Sequence, residues 1–229
     1  MKEYLSVLAA CPLFRSIHPD DLLRMLNCLE GQIVVYAKGQ IVLHQGDPAS
    51  TFGVVLKGTV QVIRGNTHGS HVILSSLEPG SLFAESFACA ALEALPVQVV
   101  AVTDVVVLLL KHTRVTHACR KGCLSHSRLV TSLLEVVARK NLSLNQKLDI
   151  VMQRTTRDKL MAYLHCLERE AGSPRFTIPF ARQELADYLG VDRSAMSTEL
   201  SRLKADGLIA FHKNTFELLH PDEADAFRF

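Results

Sequence analysis

This 229-residue chain has no tryptophan, no clean apolar stretch and almost no net charge, +2 from 25 basic and 23 acidic residues. The longest strongly apolar run, Ala94 to Leu110, is interrupted by Pro96, Gln98, Thr103 and Asp104. It falls short of the roughly 20 residues a membrane-spanning helix needs, so no membrane segment is expected. The start, Met1-Lys2-Glu3-Tyr4, sets an acid beside its lysine and leads into no apolar core with a small-residue cleavage site. No secretory signal is expected, and the cytoplasm is the expected location. Six cysteines, at positions 11, 28, 89, 119, 123 and 166, are too dispersed for a disulfide-stapled mini-domain and read as reduced thiols. No Gly-x-Ser-x-Gly, phosphate loop or His-Glu-x-x-His organises the serines, histidines and acids, so an enzyme is not expected. What is present is 48% hydrophobic and 21% charged residues, enough for two folded units.

The charge is unevenly spread. Residues 1–110 hold 6 basic and 9 acidic side chains, residues 111–150 hold 8 and 2, and residues 151–229 hold 11 and 12. Any basic surface is therefore local, and a near-neutral last third makes motif evidence necessary before nucleic acid is invoked.

His18-Pro19-Asp20-Asp21 starts a short helix, with proline in the first turn and two acids at the positive dipole end. From Gly31 to Leu110 the pattern changes to short β-branched runs, Ile33–Tyr36, Ile41–His44, Phe52–Leu56, Thr59–Ile63, His71–Leu74 and Val97–Leu110, punctuated by glycines. This predicts a compact β roll. After His126, the residues Val130, Leu134, Val137, Asn141, Leu144, Leu148 and Val151 step by alternating 4 and 3, a heptad seam with Asn141 at an a position. A buried amide there fixes a two-stranded register, so a parallel homodimer is expected; the alternative is a helix packed on the roll. The last third reads as a helix over Thr156–Glu170, a helix-turn-helix over Arg182–Leu189 and Asp192–Asp206, and a hairpin of Ile209–His212 and Thr215–Leu219. Asp192 is placed to cap the second of these helices, Met196, Leu200 and Leu203 lie inward, and Arg193, Ser194, Ser197, Thr198 and Ser201 lie outward. Short hydroxyls beside one arginine suit a face that approaches base edges in a groove.

The glycine-spaced run Ala37-Lys38-Gly39, His44-Gln45-Gly46-Asp47, Leu56-Lys57-Gly58 and Leu77-Glu78-Pro79-Gly80 resembles a cyclic-nucleotide-binding roll. With the long helix and the segment from Arg182 to Arg193, nearly the whole chain resembles bacterial transcription regulators of the cyclic AMP receptor protein and fumarate-nitrate regulator (CRP/FNR) family. The resemblance implies an α+β chain with an N-terminal double-stranded β-helix (jelly roll), a long dimerisation helix and a C-terminal winged helix-turn-helix. The expected domains are a sensing roll over 1–125, the helix over 126–151 and a DNA-binding domain over 152–229. It implies a homodimer on an inverted-repeat operator, with double-stranded DNA, RNA polymerase and a small-molecule effector as partners. DNA is expected to meet Arg182, Arg193, Ser194, Ser197, Thr198, Ser201, Lys204 and Lys213. The dimer interface is expected to take Val130, Leu134, Val137, Asn141, Leu144 and Leu148. Glu199 departs from the family by standing where a branched aliphatic is usual.

The effector site departs further. Cyclic-nucleotide-binding members hold the ribose with Gly-Glu and the phosphate with Arg-Ser or Arg-Thr; here Ala84-Glu85 stands for the first and Leu95-Pro96-Val97-Gln98 for the second. No lysine or arginine lies between Arg64 and Lys111. A missing cation at 4 Å is worth about 4 kcal/mol at an effective dielectric near 20, roughly a thousandfold in affinity, so cyclic AMP is disfavoured. The expected alternative is a small, largely apolar effector bordered by Phe83, Glu85, Ser86, Phe87, Cys89, Val97, Gln98, Leu144 and Asn145. In the bland version Phe83, Phe87 and Leu144 simply fill the roll, with Glu85 at its rim. Only Cys11 and Cys28 precede the roll, too few for an iron-sulfur cluster. A metal, haem or thiol-redox sensor using Cys119, Cys123 and His126 stays open as an alternative, as does a cyclic-nucleotide-binding regulatory module.

Overall fold

The computed structural model describes residues 2–65, 71–116 and 124–219. The chain divides into two compact units, Met1–Lys140 and Asn141–Phe229.

The first unit opens with a 3-10 turn at Lys2–Tyr4, then α1 (Leu5–Ala10) and α2 (Pro19–Cys28). Pro19 begins α2, and His18 Nδ1 accepts the Asp20 N–H at 3.4 Å, so the helix starts where its sequence signals say. Eight strands follow: β1 (Gln32–Tyr36), β2 (Ile41–Leu43), β3 (Thr51–Lys57), β4 (Val60–Gly65), β5 (His71–Leu77) and β6 (Leu82–Phe83), then after α3 (Glu85–Cys89) β7 (Gln98–Ala101) and β8 (Val105–Lys111). They form two antiparallel four-stranded sheets, ordered β1-β8-β3-β6 and β2-β7-β4-β5. Residues of both sheets, among them Val54, Val55, Val99 and Val107, join one buried cluster with Leu22, Leu26 and Leu29 of the N-terminal segment. The run Val97–Leu110 is two strands because its middle is a polar turn. There Asp104 Oδ1 accepts the Lys38 N–H at 2.9 Å and Thr103 Oγ1 accepts the Thr59 N–H at 3.0 Å. Gly53 on β3 is required by a close approach. A Cβ there would lie 2.1 Å from Cζ of Phe83, its direct partner on β6.

After α4 (His112–Thr116), the 28-residue α5 (Leu124–Val151) crosses the boundary between the units. Its sequence carries two apolar faces. Leu129, Leu133 and Val136 are buried in the core of the first unit, whereas Leu134, Leu144 and Leu148 of the heptad seam are 69%, 67% and 51% exposed. Val130 and Val137 are half-buried, and Val137 packs against the roll core.

The second unit contains α6 (Thr156–Ala171), β9 (Arg175–Thr177), α7 (Arg182–Leu189), α8 (Arg193–Ala205), β10 (Ile209–His212) and β11 (Thr215–Leu218). The hairpin gains a third strand that the sequence pattern does not announce, giving the order β10-β11-β9. Gly190, between α7 and α8, has φ 62°, a conformation that costs an L-residue about 1–2 kcal/mol. Leu160, Leu164, Leu185, Leu189, Met196, Leu200, Leu203 and Phe216 close the core.

Candidate nucleic-acid interface and effector region

The geometry of α8 starts from its cap. Asp192 Oδ1 accepts the Ala195 N–H at 2.9 Å and also receives the Ser194 hydroxyl, contacts that hold its carboxyl below the usual range. Met196, Leu200 and Leu203 are buried, which turns Arg193, Ser194, Ser197, Thr198 and Ser201 to solvent. Three of the hydroxyls fold back onto their own helix. Ser197 donates to Arg193 O at 2.9 Å, Thr198 to Ser194 O at 3.0 Å and Ser201 to Ser197 O at 3.0 Å. With the hydroxyl proton so engaged, each oxygen faces outward as an acceptor, and the face stays flat. Arg193 makes no ion pair with any described residue and is the donor of this face.

Lys204, in the last turn of α8, places Nζ 5.2 Å from the Phe211 ring centre. Lys213 is exposed at the hairpin turn with φ 51°. Arg182 does not join the outward row. Its guanidinium lies 5.3 and 5.1 Å from the Phe211 and Phe216 ring centres, and Nη2 donates to Lys213 O at 2.8 Å. Nη1 is buried without a hydrogen-bond partner among the described residues, and burial pushes the group's pKa down. α7 begins against the hairpin, so the Arg182 side chain stacks on the wing.

Glu199, the residue out of place in the expected apolar face, is 13% exposed at its side chain and lies 3.4 Å from Arg157 and 3.3 Å from Arg202. Arg157 in turn reaches Asp206 at 2.7 Å. The acid is accommodated because α6 brings an arginine to it, a compensation no local pattern announces.

In the roll, Ala84 has φ 62° and caps α3, a left-handed position where glycine would be unstrained. Glu85 is not at the rim. It is 1% exposed, and its Oε1 lies 2.6 Å from Lys140 Nζ of α5. Lys140 lies outside the cation-free stretch between Arg64 and Lys111, 55 residues from Glu85, and no local pattern in the sequence announces it. Phe83 and Val97 are buried, Phe87 and Gln98 half-buried, and Ser86 and Cys89 exposed. Burial and the nearby Glu85 raise the Cys89 thiol pKa. Leu144 and Asn145 belong to the second unit; Leu144 does not fill a core, and Asn145 Nδ2 donates to Asn141 Oδ1 at 2.9 Å.

Comparison with known proteins fits both units. The family described as cyclic nucleotide-binding domain matches residues 33–121, and the Crp-like helix-turn-helix domain matches residues 158–223. The nitrogen fixation regulation protein FixK of Rhizobium meliloti is 24% identical over 193 residues, covering 83% of this chain and 84% of FixK. The crystal structure of the Thermus thermophilus Catabolite Activator Protein has 26% identity and a TM-score of 0.51, covering 94% of this chain and 98% of that one. The chain belongs to the CRP/FNR family. Family homologues are DNA-binding transcription regulators of the CRP/FNR type. A stretch of 85 residues, 37% of this chain, is also 29% identical to the mouse cGMP-dependent protein kinase 2; the chain spans only 11% of that kinase.

Within this CRP/FNR chain, Cys119 and Cys123 lie outside the described residues. Their partner in the metal alternative, His126, is buried, and its Nε2 donates to Val115 O at 2.9 Å, which engages that ring nitrogen in holding α5 to the segment before it. Among the described residues no three His, Cys, Asp or Glu side chains are grouped to hold a metal ion. Also among them, no helix is long and apolar enough to cross a membrane.

Proposed function

We propose that the protein is a homodimeric, effector-responsive regulator that reads an inverted-repeat operator in double-stranded DNA, without a catalytic step of its own. Residues 1–125 form the sensing roll, 126–151 the dimerisation helix and 152–229 the DNA-binding domain. The observation that carries the reading is the outward face of α8: Arg193 and four short hydroxyl residues, exposed over an inner face of buried Met196, Leu200 and Leu203. Such a helix enters a major groove without steric cost and offers a bidentate donor and several acceptors to base edges. Lys204 and Lys213 flank it as phosphate contacts. Exposed Leu134, Leu144 and Leu148 supply the apolar seam of a second copy, with Asn141 setting register. RNA polymerase is the further partner, and the cytoplasm the place of action.

The effector is a small molecule other than cyclic AMP or cyclic GMP, acting on a basal DNA affinity. Lys140 is already engaged by Glu85, so it does not serve as the phosphate partner absent at Leu95-Pro96-Val97-Gln98. Selection of duplexes from a randomised pool tests the reading. An inverted repeat with half-site centres about 34–36 Å apart is expected, and recovery of no preferred sequence would overturn it. Titration calorimetry with cyclic AMP is expected to show no binding at physiological concentration.

A further inference from the structure

Glu85 is almost wholly withdrawn from water, and a carboxylate there needs a counter-charge. Among the described residues two groups answer it: Lys140 Nζ at 2.6 Å and the Ser86 hydroxyl, donating at 3.3 Å. Lys140 also donates to Leu82 O at 3.3 Å. Its ammonium thus bridges β6 and α3, one contact on each side of the left-handed Ala84. The lysine side chain is 49% exposed, which leaves its third proton to water.

The position of Lys140 along α5 matters as much as its partner. Leu129, Leu133, Val136 and Lys140 are spaced by 4, 3 and 4 residues and lie on one helix face. The first three are buried in the roll core, so Lys140 is the last anchor of that face. The first compact unit ends at this residue, and α5 continues unbroken to Val151 in the second. Without the ion pair the last contacts of α5 with the roll core retreat about one turn, to Val136 and Val137.

We infer that the Glu85–Lys140 ion pair is a built-in tie between the roll and the long helix, holding α5 without a ligand, and that Lys140 is thereby a positioning residue for DNA binding. The inference rests on the DNA-reading dimer proposed above. It assigns Glu85 Oε1 to an internal partner: a molecule offering a hydroxyl to that oxygen competes with an ammonium at 2.6 Å. Basal DNA affinity then needs no small molecule, and an effector modulates a helix that is already held.

Hydrogen exchange on the full-length protein with no small molecule added tests the tie, and DNA affinity measured on the same samples tests its consequence. In Lys140→Met and Glu85→Gln, amides of residues 137–144 are expected to exchange at least tenfold faster than in the wild type, while residues 125–132 are unchanged. Lys140→Arg is expected to stay within threefold, and the double variant to be no faster than the faster single one, as a shared interaction requires. Affinity for the selected duplex is expected to fall at least tenfold in the two single variants. Exchange within twofold of wild type in Glu85→Gln, which is isosteric and carries the test should Lys140→Met not fold, overturns the tie. Independent, multiplying effects in the double variant overturn it as well. Unchanged DNA affinity with accelerated exchange overturns the positioning role. A wild-type protein that binds its duplex only after a small molecule is added does the same. If the wild type selects no duplex at all, the DNA-reading dimer fails, and with it the positioning role, while the tie itself is still decided by exchange.

Discussion

Gly53→Ala is expected to destabilise the roll sharply, although it adds one methyl to a β-strand. The new Cβ would stand 2.1 Å from Phe83 Cζ and 2.7 Å from both Cε atoms, against about 3.5–4.0 Å for a comfortable carbon contact. The ring must therefore shift by more than about 1 Å, and little around it yields. Phe83 is 1% exposed, pairs directly with Gly53, and is followed by the left-handed Ala84 and by Glu85 in its ion pair. Overpacking of a filled core costs about 1–3 kcal/mol, and displacement of a rigid ring belongs at the upper end. A loss of about 3 kcal/mol lowers the Tm of a chain this size by roughly 6–12 °C. Urea denaturation followed by circular dichroism measures it, and Phe83→Leu in the Gly53→Ala background is expected to recover part of the loss. A loss under about 0.5 kcal/mol, or no recovery, would refute the claim that Phe83 is a packing residue seated on Gly53 and would return it to the effector lining.

Replacing exposed Leu144 and Leu148 by glutamate is expected to give a monomer by light scattering with far-UV dichroism retained, and Asn141→Leu to change oligomer specificity more than stability. Burial pushes the Cys11 thiol pKa up to about 11, against the donors of Leu13 and Phe14 that lower it. The neutral thiol is thus favoured in the native state; its stabilisation is complete below about pH 9 and is lost as pH rises to about 11, by about 3 kcal/mol, a loss that Cys11→Ala should remove from the urea midpoints. Lys213→Ala is expected to weaken binding to all duplexes alike and to reduce the salt slope by about one unit, read from titrations at several salt concentrations.

Much of the fold was legible because its signals are local. Pro19 and the two acids marked α2, Asp192 and Gly190 marked the turn before α8, and the 4-3 spacing marked α5. β9 was missed because three residues, Arg175–Thr177, carry too little alternation to stand out. The break between β7 and β8 was visible in Thr103-Asp104 but was outweighed by the valines on both sides. The outer face of α8 followed from helical spacing and one cap. Arg182, Glu199 and Glu85 did not, since each is decided by a partner distant in sequence: the rings of Phe211 and Phe216, Arg157, and Lys140. A charged residue shows its type in the sequence, but its partner only in the fold.

The central claim, that α8 reads bases, is tested most directly by comparing wild type with Arg193→Ala on a set of duplexes in which each base pair of the selected site is varied in turn. A loss of about 1–3 kcal/mol is expected on the selected site, with preference relaxed at one base pair in each half-site and kept at the others. An equal loss on every duplex would make Arg193 a phosphate contact, and no loss on any of them would contradict the assignment of this face to DNA.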